Sequence, residues 1–309
     1  MSLSGILPVL PTPFAASGAV DRDGMRKIVR FALQAGVDGV VFPGFASEVE
    51  TLTVEERANL LAIVVDEVDG RLPIVAGASA GDVLEVVAHG VQAKALGIRY
   101  LMIQPPRTIG AGAGPVGEFL AAAAAELPGM EIILQNAPAP RGSDLSPTAI
   151  LEILQRVPSI TYVKEETLPA GPAISYILAN RPATLKGVIG GGGARYILDE
   201  YARGAIAAMP ALEIAAQHVA LDRAYRRGDI AGARRIYIET LPLLVLQAVY
   251  RMRLTKHALV RQGVIDHVGV RAPTPELDAD ATADIDRALE EALAAGRQEV
   301  VRSAAGAAR

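Results

Sequence analysis

Lysine is scarce in this chain, and one of its few lysines closes a short apolar run. Lys164 follows the β-like residues 160–163 and precedes Glu165 and Glu166. A lysine that is desolvated at the end of a strand has a lowered pKa and can attack a carbonyl carbon as a free amine. Lys164 is therefore a candidate nucleophile, with Lys186 in a later run as a weaker one. An ion pair between Lys164 and one of the two glutamates is the structural alternative.

The order of elements predicts how Lys164 would be positioned. Short β-like runs alternate with amphipathic helical segments, which is typical of repeated βα units. Eight runs fit strands, at residues 5–9, 39–42, 73–76, 100–103, 131–134, 160–164, 184–189 and 205–208. Eight such units favour a closed (β/α)8 TIM barrel over an open doubly wound sheet, which usually has fewer strands.

The remaining elements are predicted to be helical. Thr53 with Glu56 forms a capping box that opens a helix over 54–68, and Asp82 opens another that stops at Gly97. A further helix is expected at 194–203. From about residue 217 onward only helices are predicted, at 219–227, 230–247 and 275–295. We therefore expect a barrel domain over residues 1–216 and a C-terminal helical region over residues 217–309.

The composition excludes several classes of protein. With 51% apolar and 21% charged residues, the chain can bury a large core and is not a disordered protein. A net charge of −4 gives no basic field for nucleic acid or an anionic membrane. Without cysteine there is no thiolate nucleophile or cysteine zinc site. The four histidines fall in no metal-ligand spacing, so no metal is expected; they are His89, His218, His257 and His267. With no signal peptide or membrane span visible, we expect a cytoplasmic protein.

A set of short motifs occurs in a consistent order between Ile6 and Pro210. They are Pro11-Thr12-Pro13-Phe14, the loop at 44–48, Leu52-Thr53 with Glu56-Arg57, Ala76-Gly77, Asn136-Ala137-Pro138 and Lys164-Glu165. The ordered set resembles the dihydrodipicolinate synthase and N-acetylneuraminate lyase family. The resemblance implies a (β/α)8 barrel with a helical extension, usually a homotetramer, and class I chemistry without a cofactor. In that chemistry a lysine forms a Schiff base with a 2-oxo acid, and Lys164 matches that lysine.

The chain departs from the family at the residues that move protons. The family commonly has Gly-Thr-Thr-Gly-Glu in its second loop, whereas Phe45 and Ala46 replace the threonines here and only Ser47 offers a hydroxyl. The family's usual general acid/base, a tyrosine in the fifth-strand motif, is Gln135, which cannot carry a proton. The proton relay of the ordinary synthases is therefore missing.

Glu166 is the predicted replacement for that relay. Residues two apart in an extended segment point the same way, so Lys164 and Glu166 would face the barrel mouth together while Glu165 points elsewhere. A carboxylate beside the lysine could move the proton at C3 of the substrate. The alternative is that Glu166 is a solvated loop charge.

Other residues are expected to bind the substrate. The resemblance places the substrate carboxylate on the backbone N–H groups of Ala46 and Ser47. Arg107 stands where the family has part of an aromatic pair, and Arg141 is displaced by one residue from the family's arginine. Gly190 would leave room beside the imine, although residues 190–193 before a helix could instead cradle a phosphate. The predicted binding residues are Ala46, Ser47, Arg107, Gln135, Gly190 and Ile206.

The stretch 204–210 with Glu213 resembles the branch of the family that includes L-2-keto-3-deoxyarabonate dehydratase. The leading hypothesis is dehydration of a 2-keto-3-deoxy sugar acid, with Lys164 and Glu166 as catalytic residues. One alternative is a pyruvate-dependent aldolase in which Gln135 and Arg107 hold a water. Dihydrodipicolinate synthase-like condensation and a non-catalytic 2-oxo-acid binding protein are the others. In each case the expected partner is a small 2-oxo acid.

Overall fold

A computed structural model describes residues 2–306 of the chain and the side chains of residues 2–295. The strands are β1 (Gly5–Ile6), β2 (Val40–Phe42), β3 (Ile74–Gly77), β4 (Tyr100–Ile103), β5 (Glu131–Asn136), β6 (Ile160–Glu165), β7 (Gly187–Gly190) and β8 (Ala207–Ala208). The helices are α1 (Arg22–Gln34), α2 (Val54–Val68), α3 (Val83–Ala95), α4 (Ala113–Ala125), α5 (Pro147–Arg156), α6 (Ala170–Asn180), α7 (Ile197–Ala202), α8 (Ala215–Arg226), α9 (Ile230–Arg261) and α10 (Ala279–Gly306).

The sheet has eight strands in the order β1-β8-β7-β6-β5-β4-β3-β2, so chain neighbours are also sheet neighbours. The pairings from β3 to β8 are all parallel. A helix follows each strand, which is the βα alternation that the sequence predicts. The (β/α)8 fold class with a helical C-terminal part is confirmed.

The described residues form two compact units. One contains Gly70–Gly192 and Tyr196–Met209 together with the start of the chain. The other contains Gly5–Asp69, Gly193–Arg195 and the chain from Pro210 onward. The expected domain boundary after residue 216 stays a prediction.

The strand registers of the first unit determine which residues share a face. Gln135 of β5 pairs with Lys164 of β6, and Lys164 pairs with Ile189 of β7. The next row joins Asn136, Glu165 and Gly190. Because side chains alternate along a strand, the two rows point to opposite faces of the sheet.

Several element boundaries differ from the predictions. The helix expected at 230–247 is followed, after a non-helical residue at Arg251, by a second helical stretch to Arg261, whose Leu254 and Ala258 are buried in a cluster with α10. The helix expected from residue 275 begins only after Asp278, whose carboxylate accepts from the N–H of Ala281. A turn that joins the Leu185 N–H to the Pro182 carbonyl delays the start of β7 to Gly187. The helix predicted at 194–203 is reduced to α7, which has six residues.

The capping signals are confirmed. Thr53 Oγ1 accepts from the N–H of Glu56, and the Glu56 carboxylate accepts from the N–H of Thr53. Asp82 accepts from the N–H of Glu85 and starts α3. Among the described residues, no helix combines the length and the apolarity that crossing a membrane requires.

A buried ion pair anchors the loop after β2 within the second unit. Lys256 of α9 and Glu48 are both fully buried, and their charged groups are in contact. Lys256 Nζ also donates to the Gly269 carbonyl at 2.7 Å. The second carboxylate oxygen of Glu48 accepts from the N–H groups of Arg271 and Ala272 at 2.6 and 2.7 Å. The loop that contains Ala46 and Ser47 is therefore attached to the C-terminal part of its unit.

We expect Lys256→Met to lower the free energy of unfolding by about 3–5 kcal/mol, because it leaves the Glu48 carboxylate buried without its counter-charge. Lys27→Met is the matched control: Lys27 also pairs with an acid, Asp266 at 3.1 Å, but is 48% exposed, so its loss should cost less than about 1 kcal/mol. Urea titration measures both. Adding Glu48→Gln to Lys256→Met should restore part of the stability; equal effects of the two lysine variants would contradict the assignment.

A second buried carboxyl in this unit makes stability depend on pH. Burial raises the pKa of Glu213 to about 7, and a hydrogen bond from Thr255 Oγ1 at 3.0 Å offsets this only in part. The folded-state pKa lies above the unfolded value near 4.5, so the folded state favours the protonated carboxyl. The contribution of this carboxyl to stability is therefore fully present below about pH 4.5. It is lost as the pH rises through about 7.

Glu213→Gln should remove that pH dependence. The variant should gain stability relative to the wild type between pH 4.5 and 7, reaching about 3 kcal/mol at pH 8. Thermal or urea unfolding at pH 5 and pH 8 measures the difference. A gain of the same size at both pH values would mean that ionisation of Glu213 is not its cause.

Candidate active site

Lys164 lies one residue before the end of β6, between β5 and β7 in the first unit. Its side chain is only 4% exposed. The register places Gln135 directly beside it on β5. Carboxyl ends of barrel strands are where active sites form, so this row is at the catalytic edge.

Glu166 continues β6 by one residue. Its N–H donates to the Asn136 carbonyl at 3.0 Å, which keeps the backbone extended beyond the strand. The side chain therefore faces the same way as Lys164, and Nζ of Lys164 lies 3.1 Å from Oε1 of Glu166. The carboxylate is 6% exposed, so it is not a solvated loop charge.

Three further groups donate to the Glu166 carboxylate. Gln135 Nε2 lies 2.9 Å and Arg141 Nη2 lies 3.0 Å from Oε2. The N–H of Gly192 lies 3.4 Å from Oε1. Gly191 leaves the space that the carboxylate occupies, because a Cβ there would lie 2.4 Å from Cγ of Glu166. The site thus holds an ionised carboxylate by charge, by hydrogen bonds and by shape.

These contacts decide the protonation state of Glu166. Burial alone would raise its pKa, but the positive charges of Lys164 and Arg141 and the hydrogen bonds from Gln135 and Lys164 outweigh it. The pKa of Glu166 is lowered to about 2. At neutral pH the side chain is a carboxylate that can accept a proton.

Glu165 occupies the opposite face and has a structural role. Its carboxylate accepts from Asn136 Nδ2 at 2.9 Å and from the N–H and hydroxyl of Thr167 at 2.7 and 2.5 Å. Burial raises the pKa of Glu165, against these hydrogen bonds. The pKa values of these two adjacent glutamates are therefore shifted in opposite directions, because their side chains lie on opposite faces of the sheet.

Asn136 also closes the loop that contains Arg141. Its side-chain amide exchanges hydrogen bonds with the backbone of Leu145, at 3.0 Å to the carbonyl and 2.8 Å from the N–H. Gln104 Nε2 donates to the Arg141 carbonyl at 3.0 Å, and Arg107 reaches the Pro140 carbonyl at 3.4 Å. Arg107 therefore contacts the loop that holds Arg141, and its predicted contact with substrate stays a prediction.

The loop after β2 lies in the second unit. Phe45–Ser47 forms one helical turn, in which the Ser47 N–H donates to the Gly44 carbonyl at 2.9 Å. The Ser47 hydroxyl accepts from the Gly44 N–H at 2.9 Å and donates to the Leu10 carbonyl at 2.5 Å. The hydroxyl that the sequence leaves for substrate is thus used to shape the loop. Ala46 is half-buried, and carboxylate binding at Ala46 and Ser47 stays a prediction.

The remaining predicted residues lie on β7 and β8. A Cβ on Gly190 would lie 1.9 Å from a carboxylate oxygen of Glu200, so Gly190 makes room for that side chain. With Glu200 behind Gly190 and Glu166 behind Gly191, two carboxylates adjoin this loop, which disfavours a bound phosphate. The side chain of Ile206 lies against Gly187. Gly187 pairs with Tyr162, which precedes Lys164 by two residues on β6.

The competing lysine, Lys186, lies at the amino ends of the strands, opposite the carboxyl ends near which Lys164 lies. Lys186 precedes β7, and its Nζ is 2.6 Å from Glu131 at the start of β5. It is 45% exposed and pairs at the amino ends of the strands, where side chains stabilise a barrel rather than take part in catalysis. No group of three potential metal ligands occurs in the described part of the chain.

Sequence reasoning found Lys164, Glu166 and Gln135, which the structure brings together, but it missed Arg141 and Gly191 as partners of Glu166. The displaced arginine in the loop after Pro138 was the available signal for the first. The run of glycines was the signal for the second.

Comparison with known proteins identifies the family of the chain. Residues 2–292 match the Dihydrodipicolinate synthetase family. The chain is 35% identical over 184 residues to a 4-hydroxy-tetrahydrodipicolinate synthase of Stenotrophomonas maltophilia, covering 59% of this chain and 61% of that protein. The match thus spans about three fifths of that relative's length. It is 29% identical to an L-2-keto-3-deoxyarabonate dehydratase of Azospirillum brasilense, covering 91% of this chain and 92% of that protein.

The fold of the chain also matches that of solved structures. The dihydrodipicolinate synthase of Rhodopseudomonas palustris superposes with a TM-score of 0.87 at 20% identity, covering 94% of this chain and 97% of that one. The resemblance noted from the motifs is confirmed. The chain belongs to the Dihydrodipicolinate synthetase family.

Proposed function

We propose that this protein is a lyase that dehydrates a 2-keto-3-deoxy sugar acid through a Schiff base on Lys164. The observation that supports this most directly is the 3.1 Å contact between Lys164 Nζ and Glu166 Oε1 in a buried site. Gln135 stands in the position of the family's tyrosine and donates its amide to the same carboxylate. The group able to take a proton there is therefore Glu166.

The first step is imine formation. Glu166 accepts a proton from the Lys164 ammonium, and the free amine attacks C2 of the 2-oxo acid. Loss of the C2 oxygen as water leaves an iminium, so the positive charge beside Glu166 is kept. Glu166 returns its proton to that leaving oxygen, so the iminium faces a carboxylate again at the end of this step.

The second step is removal of the C3 proton. The C3–H bond breaks, its electron pair forms the C2–C3 double bond of an enamine, and the proton passes to Glu166. Because the iminium charge is neutralised, one cause of the low pKa of Glu166 disappears. The protonated carboxyl then becomes an acid able to assist the next step.

The third step is elimination. The C4 hydroxyl leaves as water with the proton from Glu166, and the enamine electrons form the C3–C4 double bond. Hydrolysis of the unsaturated iminium frees Lys164. The sequence is redox-neutral, and one carboxylate moves the proton from C3 to the leaving oxygen.

The contacts of Gln135 and Arg107 favour this reaction over an aldolase. The aldolase hypothesis needs both side chains to hold a water, but Gln135 donates to Glu166 and Arg107 reaches the Pro140 carbonyl. The relative from Azospirillum brasilense supports the same assignment, since it matches nearly the whole chain. A small 2-oxo acid is thus the proposed partner, and the homotetramer that the family implies is the proposed assembly.

Borohydride reduction in the presence of pyruvate should attach the ligand to Lys164. Peptide mass mapping should find the added mass on the peptide that contains Lys164 and on no other. Lys186→Met should be labelled like the wild type, because Lys186 pairs with Glu131 at the far edge of the sheet. Label on Lys186, or no label, would refute the Schiff-base assignment.

Glu166→Gln should keep imine formation but lower C3 exchange and water loss by about 10²-fold or more, the usual contribution of general acid–base catalysis. Deuterium exchange followed by NMR measures the first, and product analysis with 2-keto-3-deoxy acids measures the second. Glu118→Gln is the control, because Glu118 is 80% exposed on α4. Normal turnover by Glu166→Gln, or release of pyruvate without water loss by the wild type, would favour the aldolase instead.

A further inference from the structure

The two oxygens of the Glu166 carboxylate have different partners. Oε1 faces Lys164 Nζ at 3.1 Å and the Gly192 N–H at 3.4 Å. Oε2 accepts from Gln135 at 2.9 Å and from Arg141 at 3.0 Å. A carboxylate that faces two cations is a weak base, because each cation favours its ionised form.

Arg141 is the partner of Glu166 that a ligand can reach. Its side chain is 28% exposed, whereas those of Lys164 and Glu166 are 4% and 6% exposed. Its backbone is fixed, because Gln104 binds its carbonyl and the Asn136–Leu145 bonds close the loop. The guanidinium can therefore change partner while the loop stays in place.

We propose that Arg141 determines specificity by holding Glu166 Oε2 until the tail of the substrate, beyond C4, offers an oxygen that accepts its hydrogen bond instead. This inference rests on the proposed function, in which Glu166 takes the C3 proton. A hydroxyl or carboxylate oxygen in the tail has the required chemistry, since guanidinium groups donate to either. Substrate binding then removes one of the two cations that keep the base weak.

The consequence is discrimination against short 2-oxo acids. Pyruvate forms the imine but has no tail, so Arg141 stays on Glu166 and C3 exchange is slow. A sugar acid engages Arg141 and strengthens the base as it binds. In either case the C3–H bond breaks to give an enamine and a protonated Glu166, which exchanges its proton with solvent. The rate of C3 proton removal thus depends on whether the substrate has a tail that engages Arg141.

Arg141→Met tests this with two substrates. Pyruvate exchange in D2O, followed by NMR, should become about three- to tenfold faster, because a carboxylate freed from one cation is a stronger base. The acidic limb of its pH profile should move up by about one unit. For the 2-keto-3-deoxy acid, kcat/KM should instead fall about tenfold or more, because the tail loses its donor. Opposite changes for the two substrates are not produced by a merely structural defect.

Two controls accompany this variant. Arg141→Lys keeps a cation near Oε2, so its pyruvate exchange should stay within about twofold of the wild-type rate. Arg181→Met removes an exposed arginine beyond α6 and should leave both rates unchanged.

The two proposals fail in distinguishable ways. If Glu166→Gln exchanges pyruvate normally, the proposed function is wrong. If Glu166→Gln abolishes exchange but Arg141→Met slows or leaves unchanged the reaction with pyruvate, only this inference is overturned. Should Arg141→Met not fold, pyruvate exchange by the wild type is measured with added glycolate, whose oxygens compete for Arg141. Acceleration by glycolate supports the inference, and its absence overturns it.

Discussion

The buried ion pair between Lys164 and Glu166 is the constraint on which the rest of the site depends. Two charges taken out of water lose several kcal/mol of solvation each, and a single contact restores this only when further hydrogen bonds complete the cage. Gln135 and Arg141 supply those bonds on Oε2. Gly191 supplies the space, because a side chain there would overlap the carboxylate. The residue types at three separate positions, one in β5 and two in loops, therefore follow from one pair of charges.

The same constraint explains the opposite face of β6. Glu165 must be buried among the helices if Glu166 faces the lysine, since successive side chains alternate. Asn136 and Thr167 satisfy its carboxylate, and Asn136 then closes the loop that contains Arg141. Glu165 thus supports, through Asn136, the loop whose Arg141 binds Glu166. This coupling joins the two faces of the strand.

What the sequence predicts well is local. Strand alternation places Lys164 beside Glu166, and the capping box of Thr53 starts α2 where it is observed. What it misses depends on contacts distant in the chain. The Ser47 hydroxyl looks available until Leu10, 37 residues earlier, accepts its hydrogen bond. Arg141 reaches Glu166 from a loop that Asn136 closes by binding Leu145 nine residues away, a closure that no short motif encodes.

Under the proposed mechanism, the family's tyrosine is replaced by Gln135 and its proton-transfer role moves from β5 to the residue that follows β6. Gln135 Nε2 on β5 and Glu166 Oε2 after β6 lie 2.9 Å apart, so under the proposed mechanism the proton-moving group is shifted by one strand while the lysine keeps its position. An amide suits the vacated position because it donates a hydrogen bond without adding charge. A tyrosine there would compete with the carboxylate for the same proton. A carboxylate is also the better choice for elimination, because it returns the proton to a leaving hydroxyl and needs no relay through the fifth strand.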